Sequence, residues 1–102
     1  MLTLSDAKSL VLATPQIKAS IAVQHARPFF EYVQPHETGW DFTVNARNAC
    51  LRGPGTCSTL LGHFRVSRQG GEVTALDEGF DGKVASSPEV ADLRRRLMKR
   101  CG

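Results

Sequence analysis

Cys50 and Cys57, with Leu51-Arg52-Gly53-Pro54-Gly55-Thr56 between them, are the pair of residues in this chain whose type and spacing are most open to chemistry. Such a pair can bind a metal, supply a thiolate nucleophile or close a disulfide. A zinc site takes four ligands, commonly including a Cys-x2-Cys pair; here there is no second pair, and His25, His36 and His63 stand singly along the chain. A thiolate nucleophile needs a histidine base, and His63, although near Cys57 in sequence, falls on a stretch that reads as strand. Gly-Pro-Gly favours a tight reversal, because glycine supplies positive φ and proline presets φ near −65°. If the flanking strands pair, the cysteines face each other across the ladder with Cβ atoms ~4.5–5.5 Å apart, close to disulfide range. A link across so short a loop would contribute roughly 2–3 kcal/mol. The expectation is a structural disulfide between Cys50 and Cys57, with buried free thiols as the alternative. Cys101 is the odd cysteine, open to pairing with another molecule, with either of the other two, or with nothing.

Around this turn lie Asn45, Arg47, Asn48 and Arg52. Rigid loops on a sheet commonly carry binding function, and Arg47, Asn48 and Arg52 are the expected partner-binding residues. No residue is assigned a catalytic, metal-binding or cofactor-binding role. His63 has no serine, cysteine or carboxylate at a diagnostic spacing, so a solvated strand histidine is the simpler reading. Asp77, Glu78 and Asp81 cluster in a glycine-containing loop without the ligand order of a calcium site. Arg52-Gly53-Pro54-Gly55 lacks the Gly-Lys-Ser/Thr ending of a phosphate-binding loop.

The elements that must position these residues are legible. Thr3 and Asp6 form a capping-box pattern, and Leu4, Ala7, Leu10 and Val11 recur at helical spacing through about Ala13. Thr14-Pro15 opens a second helix with Ile17, Ile21 and Gln24 on one face, ending near Ala26 because Pro28 disfavours helix at Arg27. Phe29 to Val33 is β-prone, and Gln34 to Gly39 carries turn chemistry. Trp40, Phe42, Val44 and Ala46 then alternate against Asp41, Thr43, Asn45 and Arg47, the pattern of a half-buried antiparallel strand. Leu60, Gly62, Phe64 and Val66 alternate against Leu61, His63, Arg65 and Ser67 in the next. Gln69-Gly70-Gly71 turns the chain into a fourth strand over Glu72 to Leu76. Asp77 to Ala85 is irregular, and Ser87-Pro88-Glu89 opens a last helix with Val90, Leu93, Leu97 and Met98 as its apolar stripe. One-sided helices and one-sided strands must bury against each other. The predicted fold is α+β: two N-terminal helices, a four-stranded antiparallel meander and a C-terminal helix, with the helices on one face of the sheet.

At 102 residues the chain makes one domain, 1–102, with a modest core. It has no apolar run of about 18 residues, the length of a membrane span. The net charge is +3, and Arg94, Arg95, Arg96, Lys99 and Arg100 crowd the end of the chain. Cations in a helix's last turns complement its dipole, and no aromatic residue interleaves with them to stack on bases. Nucleic-acid binding by this helix is therefore the alternative function rather than the first. Met1 to Ser5 has neither the basic start nor the apolar core of a secretory leader, whereas a disulfide favours an oxidising compartment. A periplasmic or secreted location, with the leader absent from this chain, is expected; a cytoplasmic one is the alternative.

The hairpin His63-Phe64-Arg65-Val66-Ser67-Arg68-Gln69-Gly70-Gly71-Glu72-Val73 resembles the repeating hairpin of small exported bacterial domains, including PepSY-like modules and cystatin- or NTF2-like immunity proteins. The Ser-Pro-Glu helix is similar to the segment after that hairpin in many proteobacterial proteins. The likeness spans about half the chain and carries over no site residue. It implies a non-enzymatic periplasmic protein that binds or inhibits another protein.

Overall fold

The computed structural model describes residues 2–24, 27–49, 56–76 and 87–101. The elements run α1 (Leu4–Leu12), α2 (Pro15–Gln24), β1 (Arg27–His36), β2 (Gly39–Ala49), β3 (Thr56–Ser67), β4 (Val73–Ala75) and α3 (Pro88–Cys101). The four strands form one antiparallel sheet in the order β1-β2-β3-β4, and the fold is α+β as the residue pattern predicts. Among the described residues no helix is long and apolar enough to cross a membrane.

α1 and α3 begin at capping hydroxyls, and α2 begins at a proline. The Thr3 hydroxyl accepts from Asp6 N–H while the Asp6 carboxylate accepts from Thr3 N–H, a complete capping box. Thr14 turns its hydroxyl back onto the Val11 carbonyl at 2.7 Å, and Pro15 starts α2. Ser87 accepts from Val90 N–H at 3.2 Å ahead of Pro88. The buried faces of the helices then meet the inner face of the sheet. Leu10, Val11 and Ile17 pack in one cluster with Phe42, Val44, Phe64, Val66 and Val73, and Val90 and Leu97 join from α3. Leu93 and Met98 complete the α3 stripe at its margin.

The strands depart from expectation in length. Residues 34–36, read as turn, belong to β1, because His36 pairs with Gly39 and only Glu37 and Thr38 make the reversal. Pro28 and Pro35 are tolerated there since β1 is an edge strand. β3 begins at Thr56, four positions before the expected Leu60, and β4 is confined to Val73–Ala75. α2 ends at Gln24.

Two bulges flank Val44. In β1 the register with β2 slips between Phe30 and Tyr32, leaving Glu31 as the extra residue. In β3 it slips opposite Val44 and Asn45, leaving Leu61 extra between Leu60 and Gly62. An extra residue reverses which face later side chains occupy. Leu60, expected beside Gly62, Phe64 and Val66 on the inner face, is therefore paired with Asn45 on the outer face, and Leu61 packs at the core margin instead.

Close approaches set the turns. A Cβ on Gly39 would fall inside the Val66 carbonyl, so the start of β2 requires glycine. Gly71 takes φ 68°, closing the β3–β4 turn as its N–H donates to the Ser67 carbonyl at 3.0 Å.

The first and last helices are joined by charge. The Arg100 guanidinium donates to the carboxylate of Asp6, which is only 6% exposed and already serves the capping box. That hydrogen bond, with the one from Thr3 N–H, holds the Asp6 carboxyl below its ordinary value of 3.8. A depressed folded-state value means that the unfolded chain takes up its proton first as pH falls. The stability supplied by Asp6 is thus present at neutral pH and is lost as pH drops below 3.8 through the folded value. Replacing Asp6 with Asn should flatten the acid limb of a plot of melting temperature against pH. An unchanged slope in the variant would contradict this role.

Candidate functional site

With the helices on one face, the other face of the sheet is uncovered among the described residues. The cross-strand register sets which side chains share it: Arg27, Phe29, Tyr32 and Gln34 from β1, Asp41, Thr43, Asn45 and Arg47 from β2, Leu60, His63 and Arg65 from β3. Thr74 extends the face through its pairing with Arg65. Three large apolar side chains stand out on or beside it, Tyr32 at 66%, Leu60 at 54% and Leu76 at 39% exposure. Tyr32, Gln34, Asp41, Phe42, Thr43, His63 and Leu76 line a shallow concavity of about 290 Å³.

The centre of this face is tied together by contacts between its own side chains. Asp41 and Arg65, opposite each other on β2 and β3, form a two-point pair, Nε to Oδ1 at 2.8 Å and Nη2 to Oδ2 at 3.1 Å. Arg65 holds the Asp41 carboxyl below its ordinary range, and Asp41 in turn raises the Arg65 guanidinium. His36 stands beside the pair with Nε2 at 3.3 Å from Asp41 Oδ1, and its Nδ1 accepts from Thr38 N–H at 3.3 Å, which leaves the ring proton on the side of Asp41. His63 Nδ1 lies 3.0 Å from the Thr43 hydroxyl. The Asn45 amide donates to Glu31, tying the β1 bulge to β2.

One end of the face is different. Arg27 and Arg47 are direct cross-strand partners, and both side chains are exposed. The Arg47 guanidinium lies 4.7 Å from the centre of the Phe29 ring. Like charges directly opposite each other destabilise a sheet, and no carboxylate is paired with either arginine among the described residues. Phe29, Arg27, Arg47 and the nearby Tyr32 and Leu60 thus offer cationic and apolar contacts together.

Of the residues expected to bind a partner, Arg47 lies on this face. Asn48 continues β2, with its backbone opposite Cys57. Arg52 and Cys50 lie outside the described residues, and so does the Cys50–Cys57 disulfide. The ladder does correct one geometric premise: it sets Cys57 opposite Asn48 rather than opposite Cys50. The Asp77, Glu78 and Asp81 loop also lies outside the described residues. Among those residues, no group of three His, Cys, Asp or Glu side chains is placed to hold a metal ion.

The basic C-terminal helix is largely engaged with its own chain. Arg94 donates to the Gly70 carbonyl at 2.5 Å and lies 3.9 Å from Glu72. Arg95 and Arg96 flank Asp92 at 3.3 and 3.5 Å, and Arg100 reaches Asp6. Lys99 and Arg100 occupy the last turn, where they complement the helix dipole.

Sequence reasoning missed Tyr32, Leu60 and the Arg27–Arg47 opposition. Tyr32 and Leu60 owe their outward position to the bulges, which have no marker in residue type. The arginine opposition depends on the same Glu31 bulge, since alignment about a Glu37-Thr38 turn without it sets Arg27 opposite Asn48.

No protein-family model, curated protein or solved structure matches the chain.

Side chains on the two faces should respond differently to truncation. Phe42, opposite Phe64 and fully buried, should cost about 3–5 kcal/mol on replacement by Ala. Tyr32→Ala and Leu60→Ala should change stability by no more than about 0.5 kcal/mol in either direction. Urea unfolding of the three variants checks this contrast; a large loss at Tyr32 or Leu60 would mean that the outer face is structurally committed.

Proposed function

We propose that this is a non-enzymatic, exported bacterial protein that binds another protein, acting in its sharpest form as an immunity or enzyme-inhibitor protein. The contact surface is the uncovered sheet face, and the partner presents acidic side chains over an apolar patch. The observation that carries this proposal is Arg27 directly opposite Arg47 on a face that also exposes Tyr32 and Leu60. An opposed like-charge pair lowers the stability of the free domain, and an anionic partner relieves that repulsion. Tyrosine and arginine are also the side chains that most often dominate binding energy at interfaces. The Asp41–Arg65 pair beside them holds the strands in place without adding net charge. The likeness of the 63–73 hairpin to that of small exported immunity modules supports the same reading.

A photo-crosslinking amino acid at position 32 should capture a protein from extract of the source bacterium, while the same group at Lys18, on the helical side, should not. Arg47→Glu is then the decisive variant. It should raise the stability of the isolated domain by about 0.2–1 kcal/mol, because it replaces a repulsive cross-strand pair with an attractive one. It should also weaken binding of the captured protein by at least about tenfold, or about 1.4 kcal/mol. Crosslinks to nucleic acid, or unaltered affinity in the variant, would overturn the proposal.

Export is the second part, and it rests on Cys50 and Cys57. Peptide mapping of the unreduced protein isolated from its own host should recover a Cys50–Cys57 linked pair. Three free thiols would favour a cytoplasmic protein.

A further inference from the structure

The outer face is laid out in rows across the strands. Tyr32, Thr43 and His63 form one row, and Phe29, Asn45 and Leu60 form the next. Arg27 and Arg47 belong to the row beyond, at the end of the β1–β2 ladder. Cβ atoms of directly opposed residues stand ~4.5–5.5 Å apart, and an extended arginine side chain is longer than that gap. Both guanidinium groups are therefore within reach of one point above the sheet.

The acids among the described residues are placed elsewhere. Asp6 accepts from Arg100, Glu31 from Asn45 and Asp41 from Arg65. Glu72, Glu89 and Asp92 face Arg94, Lys18 and Arg95, and Glu37 lies in the turn at the opposite end of the β1–β2 hairpin. Arg27 and Arg47 thus bring two positive charges together on exposed side chains, with no carboxylate on either among the described residues. Phe29 anchors one of them, since the Arg47 guanidinium lies 4.7 Å from the centre of its ring. A cation–π contact of this kind leaves the five N–H donors of the guanidinium to bind an acceptor.

We propose that Arg27 and Arg47 form a binding site for one dianionic oxyanion, a phosphate or sulfate group held by both guanidinium groups at once. Charge sets the class. A carboxylate cancels one of the two positive charges, whereas a phosphate or sulfate dianion cancels both and removes the cross-strand repulsion. Shape agrees with charge: a tetrahedral oxyanion turns acceptor oxygens toward both strands, and guanidinium groups meet such anions through paired N–H bonds. The neighbouring row supplies Phe29 and the exposed Leu60, an apolar surface for any organic group that the anion carries. The site shares Arg47 with the protein-contact surface proposed above, but its ligand is a small anion and needs no protein partner.

Isothermal titration at low, matched ionic strength and mildly alkaline pH, where phosphate is a dianion, tests the site. Inorganic phosphate and sulfate should each bind one to one, at least about tenfold more tightly than acetate. Phenyl phosphate separates the two sources of such an anion: tighter binding than inorganic phosphate assigns the site to an organic ester, and equal binding assigns it to the free ion. Arg27→Gln and Arg47→Gln, each folded by circular dichroism, should each weaken phosphate binding at least about tenfold, while Arg96→Gln on α3 leaves it unchanged. In the wild-type chain phosphate should raise the melting temperature more than acetate does, a measurement that needs no variant. Absence of phosphate binding, acetate binding as tight as phosphate, or binding that survives in both arginine variants would overturn the proposal. Capture of a protein at position 32 without phosphate binding would sink this inference and leave the contact surface standing; phosphate binding without capture would do the reverse.

Discussion

Phe42 and Phe64 lie opposite each other on β2 and β3, on the face where all the helices are, and this pair joins the helical layer to the sheet. Phe30 meets Phe42 edge-on with ring centres 5.3 Å apart, and Lys8 of α1 caps the Phe30 ring at 5.4 Å. Leu10, Val11 and Ile17 fill the space above. With its aromatic and branched side chains committed to one face, the chain has little apolar mass left for the other. The three described helices cover one side of the sheet, and among the described residues the outer face is left to polar pairs. One-sided burial is the constraint behind the uncovered face, the satisfied Asp41–Arg65 pair and the exposed Tyr32.

The same constraint explains how much was legible in the residue pattern. Period-two alternation in Trp40 to Arg47 and helical spacing in 4–11 and 90–98 report burial directly, so the element order and the layering could be read from them. Thr3 and Ser87 marked helix starts because their hydroxyls accept from N–H groups of the first turn, and Pro15 marked the start of α2 because proline suits a first helical position. Strand ends were not legible, since pairing across a hairpin extends a strand as far as its partner reaches. Gln34, Pro35 and His36 look like turn residues and become strand because Trp40 and its neighbours are there to pair with them. The bulges were invisible for a related reason. A single extra residue at Glu31 or Leu61 changes no local propensity, yet it decides that Tyr32 and Leu60 face outward.

Charge placement shows a similar division between local and tertiary causes. Five cations near the chain end look like a binding surface when only their spacing is visible. Folded, Arg94 reaches the β3–β4 turn and Arg100 reaches the capping box of α1, so two of the five brace the helix against the domain. Arg27 and Arg47, which have no carboxylate partner among the described residues, are twenty residues apart in sequence and are brought together only by the β1–β2 ladder. Spacing alone could not show this, because a carboxylate such as Asp6 had to be placed before any arginine could be counted as spent.

Stability arguments separate the two kinds of residue on the outer face. Asp41 and Arg65 satisfy each other with good geometry, so evolution toward stability alone would retain them. Arg27 opposite Arg47 works against stability, and stability alone would replace one of them with an acid or a threonine. A pair that costs the folded state persists here on a surface that also exposes Tyr32 and Leu60. β1, an edge strand, carries proline, bulge and charge, the devices that keep an edge single.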